Sequence, residues 1–231
     1  MLLFKIAGIQ KTTLLDYPTK VAAIVFTQGC NFRCGYCHNP ELLDLNKDTD
    51  FLIKDFIDFL KTRQGKLDGV VISGGEPTLQ SGLYDFIKEV KQLDFAVKLD
   101  TNGTNPKILE KLLDKQLIDY VAMDIKAPLE RYSKIVGSNV NINNIKTSID
   151  LIINGSVDYE FRTTVLKSQL EFEDFDKIGQ LIDGAKLYYL QKFVPNKIYD
   201  KSLSLDKTYS DEEFQEICYN LKKYIKTVSY R

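Results

Sequence analysis

Residues 27–40 read TQGCNFRCGYCHNP, and the fold turns on what surrounds them. An apolar run at 21–26, VAAIVF, leads straight into Cys30, Cys34 and Cys37, spaced C-x3-C-x2-C. Three of the chain's four cysteines thus follow a strand-like segment in one tight loop, which places three thiolates around a small volume. Thiolates at that spacing are soft ligands suited to zinc or to an iron–sulfur cluster. Structural zinc wants a closed set of four, usually two pairs separated by a longer spacer. Here there is one trio, and Cys218 lies far away in a segment of helical pattern. His38, the only histidine, directly follows Cys37, an awkward position for closing the same tetrahedron. A cubane cluster on three cysteines leaves one iron open for a non-protein ligand, which is what a catalytic cluster needs. A structural zinc knuckle is the competing reading.

Working outward, the pattern alternates between strand and helix. Residues 1–20 carry two short strand-like stretches, 2–6 and 13–15, before the turn at Tyr17-Pro18-Thr19. After the cysteine loop, Asp48, Thr49 and Asp50 offer helix caps, and apolar residues from Phe51 to Leu60 recur at helical spacing. Strands are expected at 21–27, 69–73, 95–99, 120–125, 159–165 and 187–194. Helices are expected between them and, last, at 211–226. About six strand–helix units in alternation argue for a parallel sheet with helices outside. No repeat or linker interrupts 1–231, so one domain is expected, with a short strand region at 1–20.

The composition is that of an ordinary globular chain. Hydrophobic residues make up 44% and charged residues 27%, and 31 basic against 32 acidic residues give a net charge of −1. That balance argues against general nucleic-acid or membrane binding. No stretch approaches membrane-spanning length. Few, clustered cysteines make a poor disulfide framework and fit a reducing cytoplasm.

Polar signatures fall just after the expected strands: Gly74-Gly75-Glu76-Pro77, Asp100-Thr101-Asn102-Gly103, and Asp124 with Lys126. In β/α barrels the C-terminal strand ends build the active site, so these motifs converge on one mouth. Glycines at a strand end let backbone approach a ligand closely. The i, i+2 spacing of Asp124 and Lys126 points both side chains to one face. Each motif also has a bland reading, as a turn, an Asx turn or a surface ion pair.

The C-x3-C-x2-C loop with Tyr36 before its last cysteine resembles the radical S-adenosylmethionine (SAM) superfamily. The resemblance implies an α/β fold, a partial (β/α)6 barrel, and a [4Fe–4S] cluster on Cys30, Cys34 and Cys37 whose open iron binds SAM. Gly74-Gly75-Glu76 resembles the motif that holds the methionine amino group of SAM. Tyr36 matches the aromatic residue near the adenine. By the same resemblance Asp100, Thr101, Asn102, Asp124, Lys126 and Arg162 line the SAM site, with a monovalent cation near Asp100 and Asp124. His38-Asn39-Pro40 completes the CHNP ending common among activators of glycyl radical enzymes, where His38 orders the loop or serves proton transfer.

The resemblance spans nearly the whole chain and looks closest to the activating proteins of anaerobic ribonucleoside-triphosphate reductase. It implies a glycyl radical enzyme as partner and a flavodoxin- or ferredoxin-type reductant. Two departures matter. Formate-lyase activators use a histidine late in the barrel, where this chain offers Gln191, and there is no second cysteine cluster. Alternatives are an activator of the pyruvate formate-lyase type, or a radical SAM enzyme acting on a small molecule such as a deazaguanine precursor.

Overall fold

A computed structural model describes residues 4–231. Eight strands form one sheet in sequence order: β1 (Ile6–Thr13), β2 (Ala22–Thr27), β3 (Gly69–Gly74), β4 (Ala96–Thr101), β5 (Tyr120–Asp124), β6 (Asp158–Val165), β7 (Leu187–Lys192) and β8 (Thr227–Tyr230). From β2 to β8 all neighbours are parallel, and β1 pairs antiparallel with β2. The crossovers carry α1 (Ile53–Lys61), α2 (Leu83–Gln92), α3 (Pro106–Asp114), α4 (Tyr132–Val136), α5 (Ile142–Ile153), α6 (Phe172–Leu181) and α7 (Asp211–Leu221). The sheet runs from β1 to β8 without pairing those two ends, so the barrel is partial.

Local sequence explains the elements. β3 buries Val70, Val71 and Ile72 completely, as a parallel strand covered on both faces requires. Helix α2 buries Leu83, Phe86, Ile87 and Val90, a single stripe at helical spacing. Ser210 caps α7 through a reciprocal box, its hydroxyl accepting from Glu213 N while Glu213 accepts from Ser210 N.

Three expectations need correction. The two early strand stretches are replaced by one strand, β1; residues 1–3 lie outside the described residues, and Leu14 and Leu15 are exposed in the turn after it. Helix α1 begins two residues late, because Phe51 makes an antiparallel bridge to Ile6 and Leu52 is extended. None of the acidic or hydroxyl residues before it caps that helix, whose Ncap is Leu52. The final helix ends at Leu221, and the chain turns into β8, whose residues 227–230 pair with β7 in the register Leu187↔Thr227. That short strand adds to the six β/α units expected.

Candidate functional site

The strand ends frame one cavity of about 210 Å³, lined by all three loop cysteines and by the polar motifs of β3, β4, β5 and β6. Fourteen sequence-derived site residues, Cys30, Cys34, Tyr36, Cys37, His38, Gly74, Gly75, Glu76, Asp100, Thr101, Asn102, Asp124, Lys126 and Arg162, all belong to its lining. Gln191 does not, although it lies in register beside Thr164, the last lining residue of β6.

The cysteine loop is held by its backbone. Gly29 has φ +96°, and its N–H donates to Leu42 O at 2.7 Å. Arg33 N donates to Val136 O, and the Arg33 guanidinium donates to the carbonyls of Cys30 and Phe32. The segment after β7 straps the far side: Tyr199 N donates to Cys37 O at 3.1 Å and Asp200 N to Gly35 O at 2.8 Å. His38 Nε2 lies 2.9 Å from Val194 O, and its ring stacks on Phe193.

What the loop leaves facing the cavity is sulfur. Burial pushes the Cys30 thiol up to about 12 and raises Cys34 and Cys37 as well. Thiols held protonated in this way shed their protons on loading with metal. Among the described residues, no three His, Cys, Asp or Glu side chains converge as a single-ion site would require. A lone tetrahedral zinc draws its thiolates in to about 2.3 Å. Three thiols lining one cavity without forming a single-ion site suit a larger cluster instead. Tyr36 is buried in the same wall, with its hydroxyl beside the Cys34 thiol.

Packing alone already requires glycine at positions 74 and 75. Gly74 has φ +115°, and a Cβ there would come within 2.3 Å of Thr27 N; at Gly75 it would come within 2.1 Å of Gly29 O. The space a side chain would need is filled by the root of the cysteine loop, to which Gly75 N and Glu76 N donate. The two glycines thus lock β3 against β2 while keeping a place in the cavity wall.

Glu76 is fully buried, and its carboxylate accepts from Thr78 N, Thr78 Oγ1, Thr101 Oγ1 and Asn102 N at 2.6–3.1 Å. Burial lifts its carboxyl above the ordinary range despite these donors. Its oxygens tie the end of β3 to the end of β4. Asn102 carries the tie onward, donating to Asn31 Oδ1 in the cysteine loop at 2.9 Å and accepting from Thr104 N at 3.0 Å. The Asx turn and the positive φ of Gly103 are real, but Asp100 and Thr101 belong to the strand before them.

The floor is a lattice of charge. Asp124 accepts from Arg162 Nε at 2.8 Å and from Lys126 Nζ at 3.0 Å, confirming the shared face of Asp124 and Lys126. Asp100 accepts from Lys98, Ser73 and Arg162. Burial alone would raise both carboxyls, but Arg162, and then Lys126 for Asp124 or Lys98 for Asp100, outweigh it and hold both below the ordinary range. The same carboxylates push Lys126 and Arg162 upward against their burial. Sequence reasoning missed Lys98, Ser73, Phe32 and Thr164. For Lys98 the signal was present: a lysine two residues before Asp100 on an apolar strand shares its face.

An open parallel β/α sheet with a cysteine trio and charged strand ends around one mouth defines a radical SAM enzyme. The chain belongs to the radical SAM superfamily, whose family model matches residues 24–182. It is an enzyme of the glycyl-radical-enzyme activating type. Protein MJ1227 of Methanocaldococcus jannaschii, provisionally named a glycyl-radical enzyme activating enzyme, is 36% identical over 98% of this chain and 95% of its own length. The pyruvate formate-lyase-activating enzyme of Clostridium pasteurianum is 33% identical over 54% of each chain. Streptococcus suis SuiB bound to SAM shares the fold, with a TM-score of 0.69 and 14% identity over 88% of this chain and 48% of its own. The superfamily implies a [4Fe–4S] cluster and SAM. No helix among the described residues is long and apolar enough to cross a membrane.

Proposed function

We propose that this chain installs a glycyl radical on anaerobic ribonucleoside-triphosphate reductase, using a cluster held by Cys30, Cys34 and Cys37. The observation that carries the reading is the three loop thiols, two buried and Cys37 partly so, with no fourth cysteine in the lining, on a cavity whose other wall is polar and charged. Cys30, Cys34 and Cys37 would hold the cluster, and cluster and SAM together would supply the one-electron, radical chemistry needed to take a hydrogen atom from the partner's glycine. The protein's own residues bind, orient and exclude water. Phe32 and Leu43 give the thiol end an apolar wall. Asp100, Asp124, Lys126 and Arg162 present fixed charge for the zwitterionic end of SAM, and Tyr36 lies by the adenine. A flavodoxin- or ferredoxin-type protein is the electron donor in this reading. The chain's similarity to MJ1227 along nearly its whole length supports the activator class, and CHNP at 37–40 supports it independently.

Mixing reduced enzyme, SAM and the reductase should produce a glycine-centred doublet in the electron paramagnetic resonance spectrum. One 5′-deoxyadenosine should form per radical, and a glycine-to-alanine change at the partner's radical site should remove the doublet. A silent reductase in a preparation that cleaves SAM freely would overturn the choice of partner. Pyruvate formate-lyase is then the next partner to test, since half the chain is similar to its activating enzymes.

A further inference from the structure

The monovalent cation implied beside Asp100 and Asp124 does not fit the side chains that surround them. All four carboxylate oxygens already have protein donors. Asp100 Oδ1 accepts from Lys98 Nζ at 2.6 Å, and Oδ2 accepts from Ser73 Oγ at 3.0 Å and Arg162 Nη1 at 3.4 Å. Asp124 Oδ1 and Oδ2 are taken by Arg162 Nε and Lys126 Nζ. Arginine and lysine offer an incoming ion no acceptor. Three cations, Lys98, Lys126 and Arg162, thus face two carboxylates, a surplus of one positive charge before any ion arrives.

Lys98 decides that sum, because without it the cluster would hold two charges of each sign. Its side chain is only 2% exposed, and its ammonium lies 5.9 Å from the centre of the Tyr120 ring. A buried ammonium is costly unless paired, so its position at Asp100 is not incidental. Nearby acids do not restore the balance. Glu160 is held by Arg231 at 3.0 Å and stands 3.9 Å from Arg162, so counting both Glu160 and Arg231 leaves the same surplus. Glu76, across the cavity, spends its oxygens on Thr78, Thr101 and Asn102.

We propose that the Lys98 ammonium stands where a monovalent cation would otherwise sit, so that this chain binds SAM without sodium or potassium. The surplus positive charge is left for the methionine carboxylate. Lys98 is here a positioning residue that acts through Asp100. The inference rests on these strands forming the SAM end of the cavity.

The test uses anaerobically prepared, cluster-loaded protein in a tetramethylammonium salt at constant ionic strength. SAM affinity is titrated with and without potassium, and sodium binding is followed by the sodium nuclear magnetic resonance linewidth. The unaltered chain should change its SAM affinity by less than about twofold with potassium, a shift well under 1 kcal/mol. It should leave the sodium line sharp. Lys98→Met should bind SAM more weakly, recover roughly tenfold with potassium, and broaden the sodium line. A saturable, potassium-specific gain in SAM affinity by the unaltered chain, or stoichiometric sodium broadening, would overturn the proposal. If Lys98→Met fails to fold, the measurements on the unaltered chain decide alone. If the loaded protein binds no SAM, the functional reading fails, and the sodium linewidth still decides the question of the cation.

Discussion

Around one cavity, the cysteine loop and the β4–β6 floor solve opposite problems. In the loop, backbone bonds from Arg33, Tyr199 and Asp200 fix the chain, while the three cysteines line the cavity. On the floor, Lys98, Asp100, Asp124, Lys126 and Arg162 bond to one another, and no carboxylate oxygen of the two aspartates is left over. A soft ligand site must keep its donors for an incoming group, so its order has to come from the main chain. A charged site under low solvent exposure must pair its groups, because an unpaired buried charge is costly. The two regions should therefore respond differently to mutation.

The largest effect belongs to the loop. Changing Cys30, Cys34 or Cys37 to Ser should abolish the cubane cluster seen by iron analysis and visible absorption. Cys218→Ser, at a buried position of α7, should leave it intact. Full iron content and SAM cleavage in Cys34→Ser would erase the distinction between the regions.

On the floor, the cluster should survive while the cofactor is lost. Asp124→Asn removes the charge paired with Arg162 and Lys126. Losing a charge-assisted bond that fixes Arg162 or Lys126 costs roughly 1.5–3 kcal/mol of their placement, which should appear as a ten- to hundredfold drop in SAM affinity by anaerobic titration. Unchanged affinity would mean that the placement of these two cations does not matter to SAM.

Acid should expose the same lattice. Because the Asp124 carboxyl is held below its ordinary range in the fold, its contribution is present above the unfolded value of about 3.9 and is lost as pH falls through the folded one. The Tm gap between the unaltered chain and Asp124→Asn should therefore narrow below about pH 4. A gap constant from neutral pH downward would contradict the pairing.

The same contrast explains what the sequence disclosed. The loop was legible because C-x3-C-x2-C is local, and the parallel sheet was legible because its strands are continuous apolar runs between amphipathic helices. The partners of the floor charges were not, since Asp100 and Arg162 meet only through the register of β4, β5 and β6. Lys98 shares a face with Asp100 by spacing, but only the placed strand turns that face inward. The four protein donors of Glu76 were not legible either, since they come partly from Thr101 and Asn102, on the next strand and the turn after it. β8 was hidden because residues 222–226 carry no Gly or Pro to mark the helix end, and buried Ile225 extends the helical pattern.

The smallest expected effect sharpens the boundary between loop and chemistry. His38 is exposed, yet its Nε2 lies 2.9 Å from Val194 O and its ring stacks on Phe193. A carbonyl only accepts, so that nitrogen carries the proton and is committed to the strap rather than to a reacting atom. If ordering the loop is its whole role, His38→Gln should keep a donor and stay close to the unaltered chain. His38→Ala should lose about 1 kcal/mol, the usual worth of one such bond. That loss should show as a shorter cluster lifetime in air, with SAM cleavage per intact cluster unchanged. A proton-transfer role predicts another pattern: Gln and Ala variants equally slow, normal clusters in both, and a lost limb in the pH–rate profile. Measuring cluster lifetime and cleavage rate on the same preparations separates the two, because a strap residue moves the first and a proton carrier moves the second.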